Sequence, residues 1–322
     1  LGQQVKVYRG SIGGSHVEMH LTFDGNKVHG SYFYDRIGES VKLAGTVNAQ
    51  GALELTEFGA NNKPSAKIIC KQKLGDELVD DPDCNWSRTD GTHQAFVTLT
   101  EQHSAFSGGL RLVPKTIIER ARGVVISYPQ LAGDKPLSAS ATKFNQTVST
   151  WINKTLKQMD PEPGPHTVYE LNYDVLLGTN DLISFELTQY ADLGGAHPNN
   201  GFYAMTYDLN QNRELKIDDA LKPDSGYQTA IAKFVVADIQ RRDDIIERQT
   251  AKTEGRQPQK QDEPIVSMDQ LTEISSWAVT PKGLMIYFEF PNVIAVFDRT
   301  FIPYSVLKDY LQPNGPAARF QK

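Results

Sequence analysis

The chain has 322 residues, 39% hydrophobic and 22% charged, which suffices for two domains with separate cores and lacks the bias of a disordered chain. Lys and Arg number 33 against 39 Asp and Glu, a net charge of −6 that disfavours phosphate backbones, and no basic stretch with interleaved aromatics marks a nucleic-acid interface. No apolar run approaches the roughly 20 residues of a bilayer-crossing helix, so no transmembrane segment is expected.

The sequence opens on Leu1-Gly2-Gln3-Gln4 without a signal peptide, as a cytosolic protein or a trimmed mature form would. Residues 1–112 then read as strands. Val17, Met19, Leu21 and Phe23 alternate with His16, Glu18, His20 and Thr22, which predicts a strand with one buried face. Asp24-Gly25-Asn26 supplies the positive-φ residues of a hairpin turn, and further strands are expected over 28–34, 41–47 and 53–57. Short strands bounded by Gly, Asn or Asp imply an antiparallel meander closing into a small barrel or sandwich. His16, Glu18 and His20 on one face resemble a surface metal site, but the solvated side of a half-buried strand is favoured. Cys70 and Cys84 are the only cysteines and sit in one Gly/Asp/Pro/Asn-rich stretch. A disulfide is favoured over a zinc site, because His93 and His103 fall at no standard ligand spacing.

Residues 113–322 read as an α+β domain, with helices packed against an antiparallel sheet. Phe144, Val148, Trp151, Ile152 and Leu156 recur at i, i+4, i+7, i+8 and i+12, the stripe of an amphipathic helix over 138–159. Strands are expected over 170–177, 182–190 and 202–209. Asp208, Asn210 and Asn212 echo the start of a calcium loop, but Arg213 stands where its glycine belongs, so a strand-ending turn is expected. A helix over 227–248 presents Tyr227, Ile231, Phe234, Val235 and Ile239, and the polar residues 249–263 predict a mobile excursion. A hairpin turning at Pro281-Lys282-Gly283 and a last helix opening within 301–307 complete the domain.

Catalytic signatures are lacking: no Gly-x-Ser-x-Gly elbow, His-Glu-x-x-His pair or phosphate loop occurs, so neither an enzyme nor a cofactor is expected. Between two alternating strands lies Tyr190-Ala-Asp-Leu-Gly-Gly-Ala-His-Pro-Asn199, followed by Tyr207-Asp-Leu-Asn-Gln-Asn-Arg-Glu-Leu-Lys-Ile-Asp-Asp219. With Tyr128-Pro-Gln-Leu131, Phe144-Asn145, Trp277-Ala-Val-Thr-Pro-Lys-Gly-Leu284 and Ile302-Pro-Tyr304, this pattern resembles the RsiV/PdaC-like domain family over residues 124–311. That family occurs in lysozyme-sensing anti-sigma factors and as a non-catalytic region of peptidoglycan deacetylases. The Thr-Phe-Asp-Asp-Gly motif of the deacetylases themselves is missing. Tyr8-Arg-Gly-Ser-Ile-Gly13, Val28-His-Gly-Ser-Tyr-Phe-Tyr34, Leu43-Ala-Gly45 and Leu53-Glu-Leu-Thr-Glu57 also resemble β-domains of periplasmic immunity proteins against lysozyme-like effectors.

These resemblances imply a periplasmic or extracytoplasmic protein, compatible with a lipid anchor upstream of Leu1, and they strengthen the disulfide assignment. They imply a binding protein that inhibits or senses a lysozyme-like muramidase. The alternative is a peptidoglycan-binding module for wall attachment. Gly194, Gly195, His197, Asn199 and Tyr203 are the candidate contacts. The loop equally suits a structural part, its glycines providing a bend and its side chains satisfying loop carbonyls; Tyr203 and Tyr207 are favoured as core.

Overall fold

The computed structural model describes residues 4–59, 62–71, 74, 84–159, 167–259, 263–271 and 273–320. Eight strands form a closed barrel: β1 (Gln4–Ile12), β2 (Ser15–Asp24), β3 (Lys27–Tyr34), β4 (Ser40–Val47), β5 (Leu53–Phe58), β6 (Pro64–Cys70), β7 (Cys84–Arg88) and β8 (Gln94–Gln102). Every pairing is antiparallel between sequence neighbours, and β1 closes against β8. The alternation read along β2 holds: Val17, Met19 and Leu21 are fully buried beside Tyr8, Tyr32, Leu43 and Leu55. Closure needs tight curvature, and glycines supply it. A Cβ on Gly30 would lie 1.9 Å from the His20 carbonyl oxygen, and one on Gly45 1.9 Å from that of Glu54.

Cys70 and Cys84 face each other across β6 and β7 and form a disulfide, both buried in the barrel core. Of the polar stretch between them, residues 72–73 and 75–83 lie outside the described residues. The cross-link closes a loop with a sequence separation of 14. Replacing both cysteines by alanine is therefore expected to lower the unfolding free energy by about 3 kcal/mol. Denaturant titration checks this, and a loss below about 1 kcal/mol would show that the barrel closes without the constraint.

The second domain is built on a six-stranded sheet in the order β14-β13-β12-β11-β10-β9. Its strands are β9 (Arg111–Glu119), β10 (Val124–Ala132), β11 (Val168–Gly178), β12 (Leu182–Asp192), β13 (Asn199–Asp208) and β14 (Arg213–Glu214). The expected antiparallel sheet has one exception, since β10 pairs with β11 in parallel. Helix α1 (Ala139–Met159) lies between them in sequence, the crossover a parallel pair requires. Phe144, Val148 and Ile152 of α1 are buried on one face of the sheet, and Phe144 meets Phe185 and Tyr207 edge-on at 6.3 and 5.3 Å.

The other face carries a three-stranded antiparallel sheet, β15 (Ser276–Val279), β16 (Gly283–Tyr287) and β17 (Arg299–Pro303). A buried hydroxyl pair joins the layers: Ser184 and Thr206 lie 2.9 Å apart, and the Val279 amide donates to Ser184 Oγ at 2.9 Å. Beyond the short helix α2 (Ile217–Ala220), α3 (Tyr227–Glu254) packs Ile231, Val235 and Ile239 into one core with Val279, Leu284 and Ile302, and α4 (Tyr304–Leu307) completes the cover. Helix α3 continues six residues into the stretch expected to be a mobile excursion. Ala251 is buried there, and Arg256 closes the end with a bidentate ion pair to Glu247. Residues 260–262 of that stretch lie outside the described residues.

The two domains meet at β11. Pairing between β10 and β11 stops at Ile126 and Leu171, and residues 103–105 run along the strand beyond. The His103 carbonyl accepts the Gly178 amide at 2.7 Å, and the Ala105 amide donates to the Gly178 carbonyl at 2.7 Å. From the barrel, Arg9 reaches the Tyr173 carbonyl, Asn172 reaches His16 Nε2 at 2.6 Å, and Arg36 pairs with Glu170 at 2.8 Å. The polar side of β2 is thus partly a docking seam rather than simply a solvated face. Glu18 joins Arg9 and His20 there, at 3.0 and 2.8 Å.

Candidate partner-binding site

Strands β12 and β13 form a hairpin in which Ala191 faces Asn199, Tyr190 faces Asn200 and Leu187 faces Tyr203. Its tip, residues 193–198, holds the Gly194-Gly195-Ala196-His197 sequence. Asp192 Oδ1 accepts the Gly194 amide at 3.1 Å, a local cap on the turn. Gly194 has φ 80°, which L side chains rarely adopt, while the space around it is open. Gly195 has no such φ and no atom nearer than 3.9 Å to a would-be Cβ, so only the first glycine is required by the backbone.

His197 and Asn199 are exposed. The Asn292 amide reaches the His197 imidazole, 3.1 Å from Nδ1, and so joins the tip to a 3-10 turn over Asn292–Phe297. That turn buries Phe297 and exposes Val293 (90%) and Val296 (66%). Leu193 and Tyr190 are also exposed on the hairpin. Behind the turn Asp298 accepts the Phe290 amide at 2.9 Å, and burial pushes its carboxyl up to about 6. The result is a hairpin tip that carries exposed Leu193, His197 and Asn199 and is joined through His197 and Asn292 to a turn with two exposed valines.

Tyr203 stands apart from the tip. It lies four residues along β13 from Asn199, roughly 13 Å at the rise of a strand. Half-buried, it packs edge-on against Trp151 at 5.8 Å and donates to Gln189 Oε1 at 3.3 Å. Tyr207 is fully buried against Phe144, as a core residue. At Asp208 the carboxylate accepts the Asn210 and Gln211 amides and Asn212 has φ 55°, a strand-ending turn. Among the described residues no group of three or more His, Cys, Asp or Glu side chains could hold a metal ion. Sequence reading missed Asn292, Val293 and Val296. Valines within Asn-Val-Ile-Ala-Val-Phe carry the pattern of a core segment, and nothing local says that two of them face solvent.

No family model matches the chain. It is 24% identical over 194 residues to the peptidoglycan-N-acetylmuramic acid deacetylase PdaC of Bacillus subtilis strain 168, a match covering 58% of this chain and 38% of that protein. It is also similar to two solved structures. One is a member of the DUF3298 family from Bacteroides fragilis, at 12% identity and a TM-score of 0.41, covering 66% of this chain and 98% of that one. The other is a DUF3298 family protein from Pseudomonas aeruginosa PAO1, at 17% identity and a TM-score of 0.41, covering 64% and 94%.

Proposed function

We propose that the chain is a non-catalytic, extracytoplasmic binding module associated with peptidoglycan, and that the hairpin tip around His197 grips a lysozyme-type muramidase. The similarity to a deacetylase named for peptidoglycan supports the setting, and the Cys70–Cys84 disulfide suits an oxidising compartment. The observation that carries the partner reading is the tip itself. Exposed Leu193 shares the tip with exposed His197 and Asn199, and Asn292 ties His197 to a turn that carries exposed Val293 and Val296, while Asp192 caps the Gly194 bend. Apolar anchors on a pre-ordered loop lose little entropy on docking, which is how a loop fills a partner's cleft. Net charge of −6 favours encounter with a cationic lysozyme, with an on-rate that falls as salt rises.

His197→Ala combined with Asn199→Ala is expected to weaken lysozyme binding about tenfold or more, while changing stability by no more than about 0.5 kcal/mol, as for exposed side chains. Calorimetric titration against a panel of lysozymes, with thermal melting alongside, measures both. Equal loss of binding and stability would assign the loop a purely structural part. Failure of the unmodified chain to bind any lysozyme, together with sedimentation on peptidoglycan, would replace this partner by the wall. Turnover of purified peptidoglycan would remove the non-catalytic assignment.

A further inference from the structure

Strand β14 pairs with β13 only at Tyr207 and Asp208, so the sheet edge at Tyr203–Met205 has no strand beside it among the described residues. A cavity of about 520 Å³ opens there, between α1, β13, β14 and β15. Its size falls within the roughly 300–1,000 Å³ of small-ligand sites. A hairpin that grips a protein through its tip leaves this cavity unused.

Aromatic side chains from three separate elements line it: Trp151 of α1, Tyr203 of β13 and Trp277 of β15. Trp151 and Tyr203 are half-exposed, at an interplanar angle of 72°, so they present surfaces in different directions rather than stacking on each other. Polar groups stand among them without partners. Ser276 Oγ is shielded from solvent and makes no hydrogen bond, an uncommon condition for a buried hydroxyl. Glu214, an exposed residue, also lines the cavity, and its side chain has no hydrogen bond or ion pair among the described residues.

We propose that this cavity is a saccharide subsite for one or two rings of a glycan built from N-acetylated amino sugars. That sugar class rests on the envelope reading above; the geometry itself speaks for a sugar. A pyranose offers an apolar face of C–H groups to an aromatic ring and a rim of hydroxyls to a carboxylate and a serine, and the cavity supplies both kinds of surface. A lipid would find Glu214 and Ser276 against its chain. An extended peptide paired along the free edge of β13 would leave the aromatic faces without a specific contact.

The test titrates the full chain with an N-acetylglucosamine tetrasaccharide, following tryptophan fluorescence, with an unacetylated glucose tetrasaccharide and a peptidoglycan stem peptide as parallel arms. Saturable binding of the acetylated sugar is expected, weakened tenfold or more by Trp151→Ala and severalfold by Glu214→Gln. Glu214→Gln, at an exposed position, leaves the fold intact should Trp151→Ala unfold it. The His197→Ala, Asn199→Ala double variant should keep full sugar binding. Sugar binding without lysozyme binding would uphold the subsite and remove the proposal for the tip. No sugar binding, equal binding in the Glu214 variant, tighter binding of the unacetylated sugar, or binding of the stem peptide alone would each overturn the subsite.

Discussion

Arg9→Met should lower the unfolding free energy by about 3–5 kcal/mol, the cost of breaking a buried ion pair and leaving its partner charged. Arg9 is 3% exposed and each of its three guanidinium nitrogens donates a hydrogen bond. Nη1 donates to Glu18 at 3.0 Å, Nη2 to Asp35 at 2.5 Å and Nε to the Tyr173 carbonyl at 3.1 Å, with the group 4.1 Å above the Tyr173 ring. Asp35 is as buried as Arg9, and its Oδ1 has no partner. Without Arg9 its carboxylate would keep only the Ser127 hydroxyl, at 3.3 Å. Glu18 and Asp35 belong to the barrel, whereas Tyr173 and Ser127 belong to the six-stranded sheet. The loss should therefore also separate the unfolding of the domains, giving two calorimetric transitions where the unmodified chain should give one. Arg9→Lys should fall between, since a point charge cannot serve all the partners of the planar fork. A loss below about 1 kcal/mol with a single transition would show that residues 103–105, with the Asn172–His16 and Arg36–Glu170 contacts, hold the domains together without Arg9.

That seam marks the limit of what the sequence discloses. Alternation along β2 told which side faces the barrel core, because apolar residues can be buried only there. The opposite side is polar whether it meets water or another polar surface, so His16 and Glu18 read as solvated although His16 docks against β11 and Glu18 pairs with the buried Arg9. The stripe of Phe144, Val148 and Ile152 located α1 within a residue, since a helix packed on a sheet must repeat its apolar contacts every turn. Its consequence, the parallel pairing of β10 and β11, depends on where the chain returns and leaves no local pattern. The end of α3 was hidden for a similar reason, as its last turn is held by Ala251 and the Arg256–Glu247 pair and looks polar throughout. At the candidate site Gly194 was legible through its backbone need. Asn292, almost 100 residues later, reaches the tip only through the tertiary fold, and the exposure of Val293 and Val296 beside it has no local sign either.

Arg299→Met should cost about 3–5 kcal/mol near neutral pH, and the deficit should shrink as the pH falls. Glu186 is fully buried between the two sheets of the second domain. Arg299 donates to one of its oxygens at 2.8 Å and the Tyr287 hydroxyl to the other at 2.5 Å, while the guanidinium lies over the Phe202 ring. Asp174 faces Glu186 directly across β11 and β12. Burial pushes the Glu186 carboxyl up, Arg299 opposes this, and Asp174 adds to it. Removing the arginine removes the opposing charge, so the folded-state pKa should climb further above the ordinary glutamate value of 4.5. A carboxyl raised on folding binds its proton more tightly in the folded chain. Its favourable contribution is complete below the unfolded pKa and is lost as the pH rises through the folded one. The difference in stability between the unmodified chain and the variant should therefore be small below pH 4.5, where Glu186 is protonated in both states, and should widen above it. Adding Glu186→Gln to Arg299→Met should recover much of the loss, because a neutral amide needs no counter-charge and can still accept from Tyr287. Chemical denaturation of the three proteins between pH 4 and 8 measures this. A pH-independent deficit, or a double variant no more stable than the single, would mean that Arg299 acts by packing against Phe202 rather than by balancing a buried carboxylate.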